Sequence, residues 1–319
     1  MSAFVFVEVC GYICAPISIA SNVLLLLVVR GNTSRNVAPF KLCFVLSALT
    51  GIVLSVTFLL CQPCVLLNER VVLVVLLGPS VFVHPVVATM CFVLFEAAFV
   101  LCVLQVASPY LFKVLIRMDK NELRWQIISV VTVVVITWLV VIAPMVYFST
   151  ETASEVRTHQ EHYERIILAY TKFIWVPHFV SYKLNAIGKL WLIFLVAICI
   201  FGCAIVALRA TLSSGLMQFT NWRTNLTPRF SQIANTSRLN ACSAAALVVG
   251  PLLLFSIFAV NDQPTYSYSI PLFLGAAFLP ILNAHFIIFN VRTFRKSVSS
   301  ILSFKQKVVG PISHVSSEH

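Results

Sequence analysis

The sequence predicts an all-α membrane protein, a bundle of seven transmembrane helices, and three observations carry that prediction. Of 319 residues, 60% are hydrophobic and 10% charged, with a mean hydropathy of +0.96, whereas a soluble domain is about half apolar and about a quarter charged. Too little polar surface exists to enclose so large an apolar fraction in water. The apolar residues also fall in runs of 18 or more, the length an α-helix needs to cross a hydrocarbon core of about 30 Å. Finally, seven such runs with short loops use almost the whole chain, so residues 1–319 are expected to form a single domain. In that setting the net charge of +11 is read by position relative to the bilayer and does not point to nucleic acid.

The first span runs from Phe4 to Val29; no basic segment precedes it and it is too long for a signal-peptide core, so it reads as a retained helix. The second runs from Leu42 to Leu67. Val71–Val83 is apolar but short and broken by Gly78, Pro79 and Ser80, which leaves two readings: an interfacial loop, or an extension of the third helix kinked at Pro85. The third span covers about Val83 to Ala107 and the fourth Ile127 to Phe148. A polar stretch from Ser149 to Tyr182, holding Glu151, Glu155, Glu161 and Glu164, follows as the longest loop. The fifth span is Leu184–Leu208, the sixth Leu239–Val260 and the seventh Ile270–Val291, leaving a tail at 292–319.

Cations decide the orientation. Sixteen Lys and Arg residues fall on the side of the C-terminal tail and five, or six with Lys189, on the other. This predicts an N-terminus outside and a cytoplasmic tail. The N-x-[ST] triplets at Asn32, Asn225 and Asn235 fall on the cation-rich side and favour the opposite orientation. All ten cysteines fall within the predicted spans, an arrangement that suits neither a disulfide framework nor a zinc site. Cys61-Gln62-Pro63-Cys64 has redox-motif spacing but reads as packing inside an apolar run.

The sequence lacks the nucleophile, Walker and zinc motifs of enzymes and the paired intramembrane aspartates of a protease. It lacks the matched broken helices of a transporter and the polar stripe of a channel. No catalytic residue, cofactor or metal is expected. What remains is the form of a receptor that turns binding of a small-molecule ligand outside into a conformational change inside. A seven-span ligand-gated channel or transporter with inverted topology is the alternative.

Particular residues carry a family resemblance. The last span reads Leu279-Pro280-Ile281-Leu282-Asn283 and ends in Phe294-Arg295; Asn22 precedes an aliphatic run; Pro39-Phe40-Lys41 opens the second helix and Gln62-Pro63 closes it. In this order and spacing the chain resembles the nematode serpentine chemoreceptors of the Str type. The resemblance implies a G-protein-coupled receptor for an odorant or pheromone-like ligand, with a heterotrimeric G protein and membrane lipids as partners. It implies a place in the plasma membrane, such as the cilium of a sensory neuron. Where that family carries an Arg at the inner end of the third helix, this chain has Pro109, while Tyr110 is kept. Coupling would then use Tyr110 with the neighbouring cations Lys113 and Arg117, and Arg292 and Arg295 of the tail.

The candidate ligand residues are Glu96, Gln62, Lys189 and Asn185. Glu96 stands midway along the third span, about 18 Å from either end at 1.5 Å per residue. A carboxyl there is either a ligand anchor or switch, or a neutral acid bonded to a neighbouring helix. Lys183, Asn185 and Lys189 share one face at the outer end of the fifth helix, as pocket residues or as side chains reaching the headgroups. His84 and His178 near the outer edge read first as interfacial. Pro63 and Pro251 are expected to kink the second and sixth helices. The tail reads as an amphipathic helix from Phe294 to Phe304, a lipid anchor or a G-protein surface.

Overall fold

Long aliphatic runs become helices, and the left-handed residues Gln62 and Asp262 stand just beyond the ends of two of them. The computed structural model describes residues 3–31, 41–68, 70–103, 132, 153–171, 177–220 and 227–308. The helices, in chain order, are α1 (Ala3–Gly31), α2 (Lys41–Cys61), α3 (Pro85–Val103), α4 (Ala153–Thr171) and α5 (Ala186–Thr220). Helix α6 runs from Thr227 to Val260 with a π-helical turn at Ala245–Val249; α7 (Leu274–Asn290) follows a 3-10 turn at Tyr266–Phe273; and α8 is Arg292–Val308. Among the described residues six helical stretches are long and apolar enough to cross a membrane, within α1, α2, α3, α5, α6 and the segment 268–290. The predicted fourth span, Ile127–Phe148, lies outside the described residues, as do Tyr110, Lys113 and Arg117.

Two expectations fail at the same place. The second helix stops at Cys61 rather than Leu67, and the Val71–Val83 segment is a strand to Leu76 followed by a 3-10 turn at Pro79–Phe82. Gln62 adopts a positive φ of 40°, its N–H closing on the Phe58 carbonyl at 2.7 Å, and Pro63 removes the next donor. The chain then turns back as an antiparallel hairpin, β1 (Pro63–Asn68) with β2 (Val71–Leu76), to which β3 (Phe179–Lys183) adds on the β2 side. Gly78, after β2, sits so close to α2 that a Cβ would be 2.2 Å from the Leu60 carbonyl oxygen. Cys64 is therefore in a strand, not a span. The long polar stretch also contains a helix, α4, and α5 and α6 run farther than predicted, to Thr220 and from Thr227.

Period-2 alternation organises this sheet. Val65 and Leu67 of β1 and Val72, Val74 and Leu76 of β2 join the core of α2, α3, α5, α6 and α7. Their alternates Cys64, Leu66, Leu73 and Val75 join a second core with Phe4 and Val7 of α1 and Tyr163 and Ile167 of α4. Both faces are buried, so the strands read as continuous apolar runs. The sheet thus closes one end of the bundle. The opposite end is closed by α8, whose fully buried Phe294 meets Phe44 of α2 edge-on at 5.3 Å.

Candidate functional site: a chamber under the sheet

Beneath the sheet, α3, α5, α6 and the 3-10 turn before α7 leave a cavity of about 60 Å³. An apolar cavity of about 150 Å³ holds benzene, so this space is on the scale of a smaller organic group. Its roof is Val65, Val72, Val74 and Tyr182; its walls include Phe92 and Glu96 of α3, Trp191 of α5, Phe255 of α6 and Phe273. Phe92 and Glu96 share a face because residues four apart stack on a helix. Tyr182 and Trp191 stack in parallel, ring centres 6.5 Å apart at 12°. Burial, and secondarily the Glu96 carboxyl, push the Tyr182 phenol upward, so it stays protonated and able to donate. Among the described residues the Trp191 indole N–H is buried without a partner.

Above the chamber lies a larger, more polar vestibule, lined by Asn68, Arg70, His159, His162, Asn185, Lys189 and Asp262; Lys183 and Leu184 border both spaces. Asp262, at a positive φ of 55°, fastens this rim. Its carboxylate lies 2.8 Å from Lys189 Nζ and 3.9 Å from Arg70 Nε, and Lys189 also donates to the Val260 carbonyl at 3.0 Å. Nearby, Ser269 donates to the Val65 carbonyl at 2.9 Å. His178 lies 3.2 Å from the Thr89 hydroxyl, and burial lowers its imidazole below the usual value.

The four predicted ligand residues therefore separate. Glu96 lines the chamber; Lys189 and Asn185 line the vestibule. Asn185 caps α5, its side-chain oxygen accepting from the Gly188 N–H at 2.8 Å, and Lys189 ties α5 to the end of α6. Gln62 lines neither space: it is fully buried against Gly11 of α1, with both polar side-chain atoms unpartnered. Of the predicted cytoplasmic residues, Arg292 and Arg295 are exposed on α8, and the Arg292 N–H donates to Gln232 of α6 at 3.3 Å. His84 is exposed and accepts from the Val86 N–H at 3.2 Å at the start of α3. The Cys64 thiol is pushed up by burial, and secondarily by Glu8, which suits packing rather than redox chemistry. Among the described residues no metal-ligand group of three or more His, Cys, Asp or Glu forms.

Sequence reading missed Tyr182 and Trp191, whose pairing depends on β3 folding over α5, and it missed what Pro251 does. Proline cannot bond the carbonyl four residues back, which is that of Leu247. The chain absorbs the defect in the π turn at Ala245–Val249, and the Leu247 carbonyl points at Gly275 of α7. A Cβ on Gly275 would lie 2.0 Å from that oxygen. Leu252 and Phe255 of the chamber wall stand directly beyond this turn.

At mid-bundle, α1, α2 and α7 meet through polar groups. Ser18 and Ser55 share a hydrogen bond of 2.5 Å, Ser55 donates to the Gly51 carbonyl at 2.7 Å, and the Asn22 amide donates to the Ser18 carbonyl at 2.9 Å and to that of Pro280 at 3.3 Å. Asn283 donates to Cys102 of α3 at 3.8 Å.

Comparison with known proteins gives this bundle a family. The family model described as "Serpentine type 7TM GPCR chemoreceptor Srd" matches residues 7–300. No curated protein matches the chain. The matched family is Srd rather than the Str type that the sequence motifs resembled, while the serpentine chemoreceptor class is the same. The match covers the sheet, the chamber and the start of α8, and it makes the protein a multi-pass membrane chemoreceptor and not an enzyme: the chain belongs to the Srd family of serpentine seven-transmembrane G-protein-coupled chemoreceptors.

Proposed function

We propose that residues 1–319 act as one receptor unit in the plasma membrane, with the sheet end outside and α8 on the cytoplasmic leaflet. A small external ligand enters through the vestibule, occupies the chamber against Glu96, Tyr182 and Trp191, and shifts α6 about its π turn. The observation that carries this reading is the position of the chamber directly above that turn: Leu252 follows Pro251 and stands three residues beyond Val249, where the turn ends. A ligand that packs better against one setting of α6 shifts the population toward it. The far end of α6 reaches α8 through Gln232 and the Arg292 N–H, so the movement is delivered where Arg292 and Arg295 are exposed.

The excess of cations at the α8 end supports this orientation. A heterotrimeric G protein meeting this face is the expected partner, and a sensory cilium the expected location. The test combines surface tags at the N-terminus and tail with a G-protein dissociation assay against a panel of volatile compounds. An external N-terminus with compound-dependent dissociation is expected. An internal N-terminus, or compound-gated current in cells lacking G proteins, would replace the receptor reading with a channel of inverted topology.

A further inference from the structure

We infer that the chamber selects a small aliphatic amine, bound as its ammonium ion against the Glu96 carboxylate; this rests on the chamber being the ligand site. Three observations lead there. Glu96 is the acidic residue of the lining, and in the same lining the Trp191 indole N–H is buried without a partner among the described residues. A carboxylate in an apolar cavity is costly unless a cation accompanies it, so a ligand bringing the positive charge offsets that cost. The remaining surroundings suit an organic cation: Phe92, Tyr182, Trp191, Phe255 and Phe273 line the same space, and aromatic rings attract alkylammonium groups while tolerating their methyl and methylene surface.

Size sets the class. An apolar cavity of about 150 Å³ holds benzene, so a chamber of about 60 Å³ that shares Lys183 and Leu184 with the vestibule suits a small amine and is well short of a peptide or a sugar. The vestibule bears on how such a ligand arrives. Its rim carries Arg70, Lys183 and Lys189 against Asp262, an arrangement that slows a permanent cation but not an uncharged molecule. An amine passes as its free base. Inside, the Glu96 carboxyl proton moves to the amine nitrogen, the O–H bond breaking as the N–H bond forms. The ion pair is created in place with no net charge carried in. Lys183, which borders both spaces and is engaged in a contact of its own, stands at the roof and would be the anchor for an acid ligand instead.

The test uses the full chain in lipid nanodiscs and three probes of one carbon skeleton: isobutylamine, isobutanol and isobutyrate, with binding read by calorimetry. Isobutylamine is expected to bind at least tenfold more tightly than isobutanol, with isobutyrate weakest. Glu96→Gln is expected to abolish that tenfold preference while leaving isobutanol binding in place, and Glu96→Asp to retain part of it. Alcohol equal to or tighter than amine, a preference for isobutyrate, no binding of any probe, or an unchanged ratio in Glu96→Gln would each overturn the inference. Should Glu96→Gln not fold, the three-probe ranking in the unaltered chain decides alone. G-protein activation, read separately, keeps the two claims apart. An alcohol that binds and activates as well as the amine removes the amine preference and keeps the receptor; an amine that binds without activation at saturation does the reverse.

Discussion

Two regions of this bundle hold polar groups inside apolar surroundings, and they treat them in opposite ways. At the α1–α2–α7 junction the Ser18 and Ser55 hydroxyls and the Asn22 amide are bonded to each other and to the carbonyls of Ser18, Gly51 and Pro280. In the chamber, the Trp191 N–H has no partner among the described residues, and the Glu96 carboxyl lines an otherwise largely apolar wall. Polar groups satisfied internally fix one packing of three helices; polar groups left open cost stability unless something else supplies the bonds. The contrast separates residues that hold the receptor together from residues that wait for a ligand.

The largest effect is expected where α7 of the junction meets α6 of the chamber wall. Gly275→Val places side-chain atoms on the Leu247 carbonyl, 2.0 Å from the first of them, and overpacking of this severity costs about 3 kcal/mol. We expect little or no monodisperse receptor by size-exclusion chromatography; a normal profile would mean that the α6–α7 contact is not tight. Next comes Asn22→Ala, which removes the amide's hydrogen bonds to the Ser18 and Pro280 carbonyls at about 1 kcal/mol each, read as a lower melting temperature with dose response scaled only by surface level. Lys189→Met removes the half-buried tie between α5 and Asp262 and is expected to cost about 1 kcal/mol, with a melting temperature slightly down.

The smallest effect concerns pH. His178 is held neutral by burial, so on acidification the unfolded chain takes its proton first. Stability from this group is complete above the unfolded value of about 6.5 and is lost as pH falls through it toward the lowered folded value. The melting temperature should decline from pH 7 to pH 5, and His178→Gln should flatten that slope. An identical slope in the variant would assign it to other groups.

Much of the fold was legible because spans are a matter of length and apolarity, and in the described regions each predicted span has its helix. What was not legible shares one physical cause. Val71-Val72-Leu73-Val74-Val75-Leu76 is buried on both faces, so alternation leaves no polar trace, and only its β-branched content and its shortness argue for a strand. With the sheet leaving no such trace, the sequence pattern carries the second helix through Leu67 and puts Tyr182 in a loop. Glu96 was legible because a carboxyl at mid-span is conspicuous whatever surrounds it. Lys189 and Asn185 were found by their place at the end of a helix, and there the structure ties them to Asp262 and to the Gly188 N–H. Gly275 could not be found from sequence, since its role depends on a carbonyl freed by Pro251 on another helix.

The comparison is tested most directly by one paired measurement: melting temperature and dose response, for Asn22→Ala and Glu96→Gln, against the most potent activator of the volatile panel. The account predicts a crossing, with Asn22→Ala losing stability at near-normal potency and Glu96→Gln keeping its stability while potency falls at least tenfold. Equal losses of both properties in both variants, or an unaltered potency in Glu96→Gln, would contradict it.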